Sequence, residues 1–422
     1  MNYKETVDYL YGILPAYQKQ GKTAFKKDLT NIRKLCEALG NPHQDFRSIH
    51  VGGTNGKGTV SHLISAGLQR KFKKVGLYTS PHYIDFRERI KINSEYISEE
   101  EVVEFVEKIK PYIEKIQPSF FEVTVAMAFD YFSKNEVDFA VIEVGLGGRL
   151  DSTNIITPEL SVITNIGMDH MNMLGNTIPE IAYEKAGIIK EKIPVVIGEY
   201  HSESASVFIE KAANTNSTLQ FAEEIWDSES HENEIVHQNK ETEQLISLDH
   251  MGPFHLQNTR TALSALIHIL PDFKEEEIES DLSKFKELTA YQGRWQLFKN
   301  GADVILDSGH NTHALEKSID FLNTGSYDKI HMVLGFSKDK DVESIVKLLP
   351  QKAKFYLSKP NMTRGAAVSS FIDHFYSREL HFKTYINLNS AFLAAKRTAK
   401  NSDLIFIGGS SFVVGEMLQY FK

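Results

Sequence analysis

The stretch Gly52-Gly-Thr-Asn-Gly-Lys-Gly-Thr59 brings together the groups a chain needs to hold phosphate. It follows a short buried-strand pattern, Phe46-Arg-Ser-Ile-His-Val51, and precedes a helix-like segment from about Gly58 to Arg70. At such a turn, backbone N–H groups and the positive end of a helix face an anion together. Gly53, Gly56 and Gly58 allow close backbone approach, with Thr54 and Asn55 in the same turn. Lys57 can reach terminal phosphates, and Thr59 can offer its hydroxyl to a metal ion. Two positions depart from the standard phosphate loop: Val51 stands in place of its first glycine, and Gly58 separates Lys57 from Thr59. Such a loop names no reaction by itself, because kinases, GTPases and ligases all use one.

Other candidates also sit where strands run out. Glu143 follows the apolar run Phe139-Ala-Val-Ile142, and His170, beside Asp169 and near Asn165, follows Ser161-Val-Ile-Thr-Asn-Ile. Asp307-Ser-Gly-His-Asn311 follows Val304-Ile-Leu306. Open α/β sheets gather their ligands at these carboxyl ends. Each residue also has a plainer explanation. A Glu at a strand end is commonly only solvated, a lone His more often belongs to core or surface, and a helical lysine such as Lys185 normally faces water.

The elements that must position these residues alternate. Strand patterns fall at Val75 to Thr79, Asp138 to Val144, Leu160 to Thr164 and Pro194 to Ile197. Helical periodicity falls at Glu99 to Ile116, Glu122 to Ser133 and Ile178 to Lys190. Two helices are expected within Tyr3 to Gly40, separated by a polar Gln18 to Thr23 turn. Residues 217–250 read as hairpins or an irregular flap, followed by helices at Leu256 to Ile269 and Glu275 to Phe285. A second series has strands at Asp303 to Leu306, Lys329 to Leu334, Lys354 to Leu357 and Leu404 to Ile407. Its helices fall at Thr312 to Leu322, Val342 to Leu348 and Ser390 to Ala399. The expected class is therefore α/β, with mostly parallel sheets covered on both faces. With 422 residues, two domains are the default, and the polar Tyr-Gln-Gly-Arg before Trp295 places the boundary near Leu288 to Arg294.

Composition narrows the class further. The net charge of −9 argues against non-specific nucleic-acid binding, which relies on clustered Lys and Arg. One cysteine, Cys36, permits no intrachain disulfide and suits a reducing cytoplasm. No signal peptide or membrane span is expected.

The loop variant with glycine after lysine resembles the Mur ligase superfamily, and His50-Val-Gly-Gly-Thr-Asn-Gly-Lys-Gly-Thr-Val60 resembles its folylpolyglutamate synthase / dihydrofolate synthase branch. Thr79-Ser-Pro-His82, Phe121-Glu-Val-Thr124, Glu143-Val-Gly-Leu-Gly-Gly-Arg-Leu-Asp-Ser-Thr-Asn154, Thr164-Asn-Ile-Gly-Met-Asp-His170, Glu184-Lys-Ala-Gly187 and Asp307-Ser-Gly-His-Asn311 follow in the same order. The resemblance implies the Mur ligase architecture. Residues 1–290 would form an N-terminal P-loop ATPase-like, mostly parallel ATP-binding domain, and residues 291–422 a smaller C-terminal Rossmann-like glutamate ligase domain. It implies ATP and two Mg²⁺, with Thr59, Ser80, Glu143 and His170 at the metals and a carbamylated Lys185. It also implies nucleotide contacts by residues 53–59, Asn258, Arg294, Asp307 and His310, with Lys57, Lys185 and His310 in the chemistry. Ser80, Pro81, His82 and Phe121 would form the pteroate surface. Departures occur at Ser308, Gly309, Thr312, Gln296 and His255, where the family usually carries other residues.

The implied reaction is ATP-dependent amide formation between glutamate and a folate-type carboxylate. Phosphorylation turns the carboxylate oxygen into a leaving group, and the glutamate amine then displaces phosphate. Dihydropteroate or a reduced folate would be the second small-molecule substrate, with no membrane or nucleic-acid partner and a monomeric state. Two rivals remain. A Mur ligase acting on a UDP-sugar peptide is disfavoured because only about 45 residues precede the first strand; a non-catalytic nucleotide-binding regulator would not turn over.

Overall fold

Short apolar runs without polar alternation form strands buried on both faces, and such runs set the middle of the first sheet. The computed structural model describes residues 1–15, 28–232, 234–270 and 272–421. The expected turn at Gln18 to Thr23 lies outside them. Two compact units divide the chain: Met1–Pro81, Phe86–His250 and Phe254–Tyr291 in one, and His82–Asp85, Met251–Pro253 and Gln292–Lys422 in the other.

The first unit opens with helices α1 (Tyr3–Ile13) and α2 (Thr30–Ala38), then β1 (Arg47–Gly52), α3 (Lys57–Leu68), β2 (Val75–Tyr78), β3 (Ile90–Ile92) and β4 (Glu95–Tyr96). It continues through α4 (Glu99–Ile116), α5 (Phe120–Lys134), β5 (Phe139–Glu143), β6 (Leu160–Ile163), α6 (Ile178–Ala186), β7 (Val195–Ile197), α7 (Ser202–Asn214) and β8 (Leu219–Phe221). The eight strands order as β4-β3-β2-β5-β1-β6-β7-β8, parallel except at the β3 and β4 edge. From β1 the chain leaves toward β2 on one side, and from β6 toward β7 on the other. Ligands collect at such divergences in open α/β sheets.

Capping decides where two of the helices begin. Ser98 with Glu101 and Ser119 with Glu122 each form a reciprocal capping box, which satisfies N–H groups that a helix start leaves without partners. The second box starts α5 at Phe120, two residues before the expected start. Helix α6 ends at Ala186 rather than running to Lys190. A side chain at Gly187 would collide with Arg149, so the chain turns there, and Ile188 and Ile189 enter the core as part of that turn.

The flap is a three-stranded antiparallel sheet, β9 (Trp226–Ser230), β10 (Glu234–Asn239) and β11 (Leu245–Asp249), ordered β11-β10-β9. Helices α8 (His255–Ile269) and α9 (Glu275–Ser283) follow.

The second unit carries β12 (Gln296–Asn300), β13 (Ala302–Asp307), α10 (Thr312–Thr324), β14 (Ile330–Leu334), α11 (Val342–Leu348), β15 (Lys354–Leu357), β16 (His381–Thr384), α12 (Leu388–Thr398), β17 (Leu404–Gly408) and α13 (Ser411–Phe421). Its sheet orders as β12-β13-β17-β14-β15-β16, with only β12 antiparallel. Apolar side chains on its two faces form separate cores, one around Phe336, Phe355 and Phe406 and the other around Phe392, Ile405 and Met417. Among the described residues, no helix is long and apolar enough to cross a membrane.

Candidate active site

In the first unit, β5, β1 and β6 end side by side: Val51 lies in register with Glu143, and Gly52 with Ile163. The loops that follow these strands therefore meet. Gly53 (φ +138°) and Gly56 (φ +81°) hold the turn in backbone conformations that suit glycine. A Cβ at Gly53 would strike the Thr164 hydroxyl, and one at Gly56 would strike Asn258 Oδ1. The β6 loop clamps the turn from outside. Asn165 O accepts from Thr54 N (2.9 Å), Asn165 Oδ1 accepts from Asn55 N (3.0 Å), and the Thr164 hydroxyl donates to Asn55 O (2.6 Å). Thr54 Oγ1 in turn accepts from Gly167 N at 3.0 Å. Helix α3 begins directly at Lys57, so its positive end faces the loop.

Lys57 curls over the turn, its Nζ donating to Gly53 O and Thr54 O, each at 3.1 Å. Lys185, on the last turn of α6, donates to the same Gly53 carbonyl at 2.8 Å and is only 3% exposed. Burial, reinforced by the Lys57 charge, pulls its pKa down to about 7 against the opposing pull of Asp169 and Asp151. A lysine that helical spacing would leave in water is thus an interior amine that titrates near pH 7.

Glu143 is buried and accepts a hydrogen bond from Ser80 N at 2.8 Å. A Cβ at Gly58 would lie 3.4 Å from Glu143 Oε1, so this carboxylate rests against the backbone next to Thr59. A hydroxyl and a carboxylate beside a phosphate loop are hard oxygen donors, and this set fits Mg²⁺. At Ser80 it is the backbone N–H that bonds Glu143. His170 stands after β6 at φ +50°, with its N–H on Asp169 Oδ1 at 2.8 Å. Asp151 accepts from Leu146 N (2.8 Å), Thr153 N (3.0 Å) and the Thr153 hydroxyl (2.5 Å), which closes the glycine-rich loop after Glu143 on itself. Phe120 is core, whereas the half-buried Phe121 lays its ring where a Cβ on Gly145 would be.

Of the four expected pteroate-surface residues, Ser80, Pro81 and Phe121 belong to the first unit and His82 to the second. In the second unit Asp307 ends β13 and shapes its own loop, Oδ2 accepting from Gly309 N (3.1 Å) and Oδ1 from Trp295 N (3.3 Å). His310 Nδ1 donates to Ser308 O at 3.0 Å, which fixes the tautomer and orients the ring. Asn311 caps α10 through Ala314 N at 2.8 Å. The Tyr83 hydroxyl joins Ser308 Oγ (2.8 Å) and Gly293 O (3.2 Å), so it braces both the Asp307 loop and the turn that presents Arg294.

Family comparisons match this layout. Residues 51–266 match a model described as the Mur ligase middle domain, and residues 293–411 one described as the Mur ligase glutamate ligase domain. The chain is 32% identical to the dihydrofolate synthase/folylpolyglutamate synthase of Bacillus subtilis, over 100% of this chain and 99% of that one. It belongs to the folylpolyglutamate synthase/dihydrofolate synthase family of Mur ligases. The protein is thus an ATP-dependent glutamate ligase. It is also 31% identical to a probable bifunctional folylpolyglutamate synthase/dihydropteroate synthase of Haloferax volcanii, over 99% of this chain but about half (50%) of that protein's length. E. coli FolC in complex with DHPP and ADP superposes with a TM-score of 0.88 at 25% identity, covering 100% of this ligase and 98% of that chain. The Thermotoga maritima folylpolyglutamate synthase gives 0.83 at 33% identity, covering 100% and 97%.

Two polar groups beside the candidate residues of the first unit are not picked out by motif reading. Lys91 is buried and donates to Thr289 O at 3.1 Å; burial lowers its pKa to about 8 although Glu88 and Glu143 pull it upward. Tyr291 bonds Thr59. The charged Lys91 between two isoleucines in a three-residue strand is the one faint signal in the sequence; Tyr291 gives none.

Proposed function

We propose that this ligase activates the carboxylate of a pteroate or folate substrate as an acyl phosphate and couples it to the amine of glutamate. The observation that supports this reading is the convergence at Gly53 of a phosphate loop, the buried Lys185 amine and, beside Gly58, the buried Glu143. The substrate carboxylate attacks the γ-phosphorus, its oxygen–phosphorus bond forming as the bond to the ADP oxygen breaks. The glutamate nitrogen then adds to the acyl carbon, loses a proton, and expels phosphate as the amide forms. The loop N–H groups and Lys57 would spread the charge on the transferred phosphoryl group. Asn258, beside Gly56, would face the nucleotide, and Arg294, Asp307 and His310 of the second unit are assigned to ATP and the amino acid.

Thr59, Glu143, Ser80 and His170 would hold Mg²⁺, whose charge would offset that of the phosphates. With a pKa of about 7, the Lys185 amine is neutral often enough near pH 7 to add to CO₂; the new N–C bond forms, the proton leaves to water, and an anionic carbamate results. Phe121 offers a flat apolar face to a pterin ring. A monomer in a reducing cytoplasm is the accompanying expectation, and the buried Cys36 suits it.

Mass spectrometry of products tests the proposal. The ligase is incubated with ATP, Mg²⁺ and glutamate plus dihydropteroate in one tube and tetrahydrofolate in another. A glutamate mass gained in either tube supports the reading and separates the two synthase activities. Binding of ADP with no gain in either tube would instead leave a nucleotide-binding regulator.

A further inference from the structure

The stretch at residues 288–291, where the first unit ends, is fastened to the helix that begins at the phosphate loop. Three α3-side anchors hold it: Thr59 Oγ1 to Tyr291 Oη (2.8 Å), His62 Nδ1 to Thr289 Oγ1 (2.7 Å) and Gln69 Nε2 to Leu288 O (3.0 Å). Their spacings of three and seven residues place them along one face of the helix. Lys91 adds a fourth bond, to Thr289 O. The Thr289 hydroxyl donates to Phe285 O at 2.6 Å, so it accepts from His62 Nδ1–H. The Tyr291 ring is wedged against His62 (5.0 Å between centroids) and Phe285 (4.8 Å). Its hydroxyl is therefore delivered to Thr59 by a fixed scaffold.

A threonine hydroxyl that gives a lone pair to a cation must send its proton elsewhere. Tyr291 Oη stands at the distance of an acceptor for that proton. We infer that Tyr291 is a positioning residue for the cation at the phosphate loop, orienting the Thr59 hydroxyl and coupling Mg²⁺·nucleotide binding to the order of residues 288–291. Linkage makes the coupling reciprocal: whatever orders the stretch favours the metal complex, and the metal complex orders the stretch. The inference rests on Thr59 being a metal ligand, as proposed above.

The test measures ADP affinity by calorimetry for wild type and Tyr291→Phe, first in EDTA and then across a Mg²⁺ titration. Removing only the hydroxyl keeps the wedged ring. In EDTA the two proteins should bind ADP alike. The Mg²⁺ needed for half of the full affinity gain should rise about 3- to 10-fold in the variant, the worth of one hydrogen bond. In turnover the Mg²⁺ requirement should rise likewise, with the KM for glutamate unchanged. Gln69→Ala loosens the same stretch but leaves the Tyr291 hydroxyl on Thr59, so through the same linkage it should raise the Mg²⁺ requirement by clearly less than Tyr291→Phe does. Hydrogen exchange on the wild type gives a readout independent of any variant: amides 288–291 should gain protection with Mg²⁺·ADP and not with ADP in EDTA. A wild-type Mg²⁺ requirement in Tyr291→Phe, an equal shift in Gln69→Ala, or no Mg²⁺-linked protection would overturn the inference. Wild-type ADP affinity indifferent to Mg²⁺ would overturn the metal assignment of Thr59 first, and this inference with it.

Discussion

Replacing Lys185 with methionine should make the protein inactive yet less sensitive to falling pH. The side chain keeps its length and loses its charge. The native amine titrates near pH 7 instead of at 10.5, so protonating it costs the folded state ~5 kcal/mol more than the unfolded one. The folded pKa is the lower of the two, so across the window from 7 to 10.5 the unfolded chain holds a proton that the folded chain lacks. Stability therefore rises with pH through that window, and the penalty is complete below about pH 7. Between about pH 9.5 and about pH 6.5 the wild type should lose ~3 kcal/mol that Lys185→Met keeps. Lys91 and Lys190, both lowered to about 8, add the same kind of slope to both proteins and cancel in the comparison. The chain has two tryptophans, Trp226 in the first unit and Trp295 in the second, so a Trp295→Phe background leaves Trp226 to report on the unit that holds Lys185. Urea unfolding followed by Trp226 fluorescence, in bicarbonate-free buffer at the two pH values, gives the difference. Parallel pH profiles for the two proteins would refute a near-neutral pKa at Lys185, and with it the physical basis for carbamylation. Added bicarbonate should stabilise the wild type and leave Lys185→Met unchanged.

Other consequences are simpler to score. Lys57→Ala should lower turnover on the order of 10²-fold or more, read as phosphate release at saturating substrates; a rate near wild type would remove Lys57 from the chemistry. Glu143→Gln keeps the size and the bond from Ser80 N but drops the charge, and should raise the Mg²⁺ needed for half-maximal activity about 10-fold or more, whereas an unchanged Mg²⁺ curve would make Glu143 structural. Gly56→Ala meets both a positive φ and the Asn258 amide, so ADP binding in calorimetry should fall below detection while the circular dichroism spectrum stays native.

The placement of many candidate residues was legible because it is local. The phosphate loop, Glu143 at the end of β5 and Asp307 at the end of β13 each follow an apolar run, and the glycines, lysine and threonine around them are contiguous in sequence. The long helices were legible for the same reason, since their periodicity spans several turns. Strands β3, β4 and β8 were not: β4 has two residues, and β3 and β8 have three each with a polar residue in the middle, which breaks the apolar run that made the equally short β7 readable. Helix α7, strands β12 and β16 and helix α13 likewise had no place in the sequence reading. The end of α6 was missed because apolar spacing continues through Ile188 and Ile189 while the backbone turns away against Arg149.

The sequence alone determined that a phosphate loop, a carboxylate at a strand end and a second α/β series occur in one chain, since these follow from the order and type of neighbouring residues; the glutamate ligase domain came only as what the family resemblance implied. Only tertiary structure decided that Lys185 is dry, that Tyr291 holds Thr59, and that Tyr83 braces the Asp307 loop. Those facts depend on partners 132, 232 and 225 residues away along the chain, and dielectric surroundings and hydrogen-bond geometry are properties of what packs alongside a residue, which its sequence neighbours do not encode.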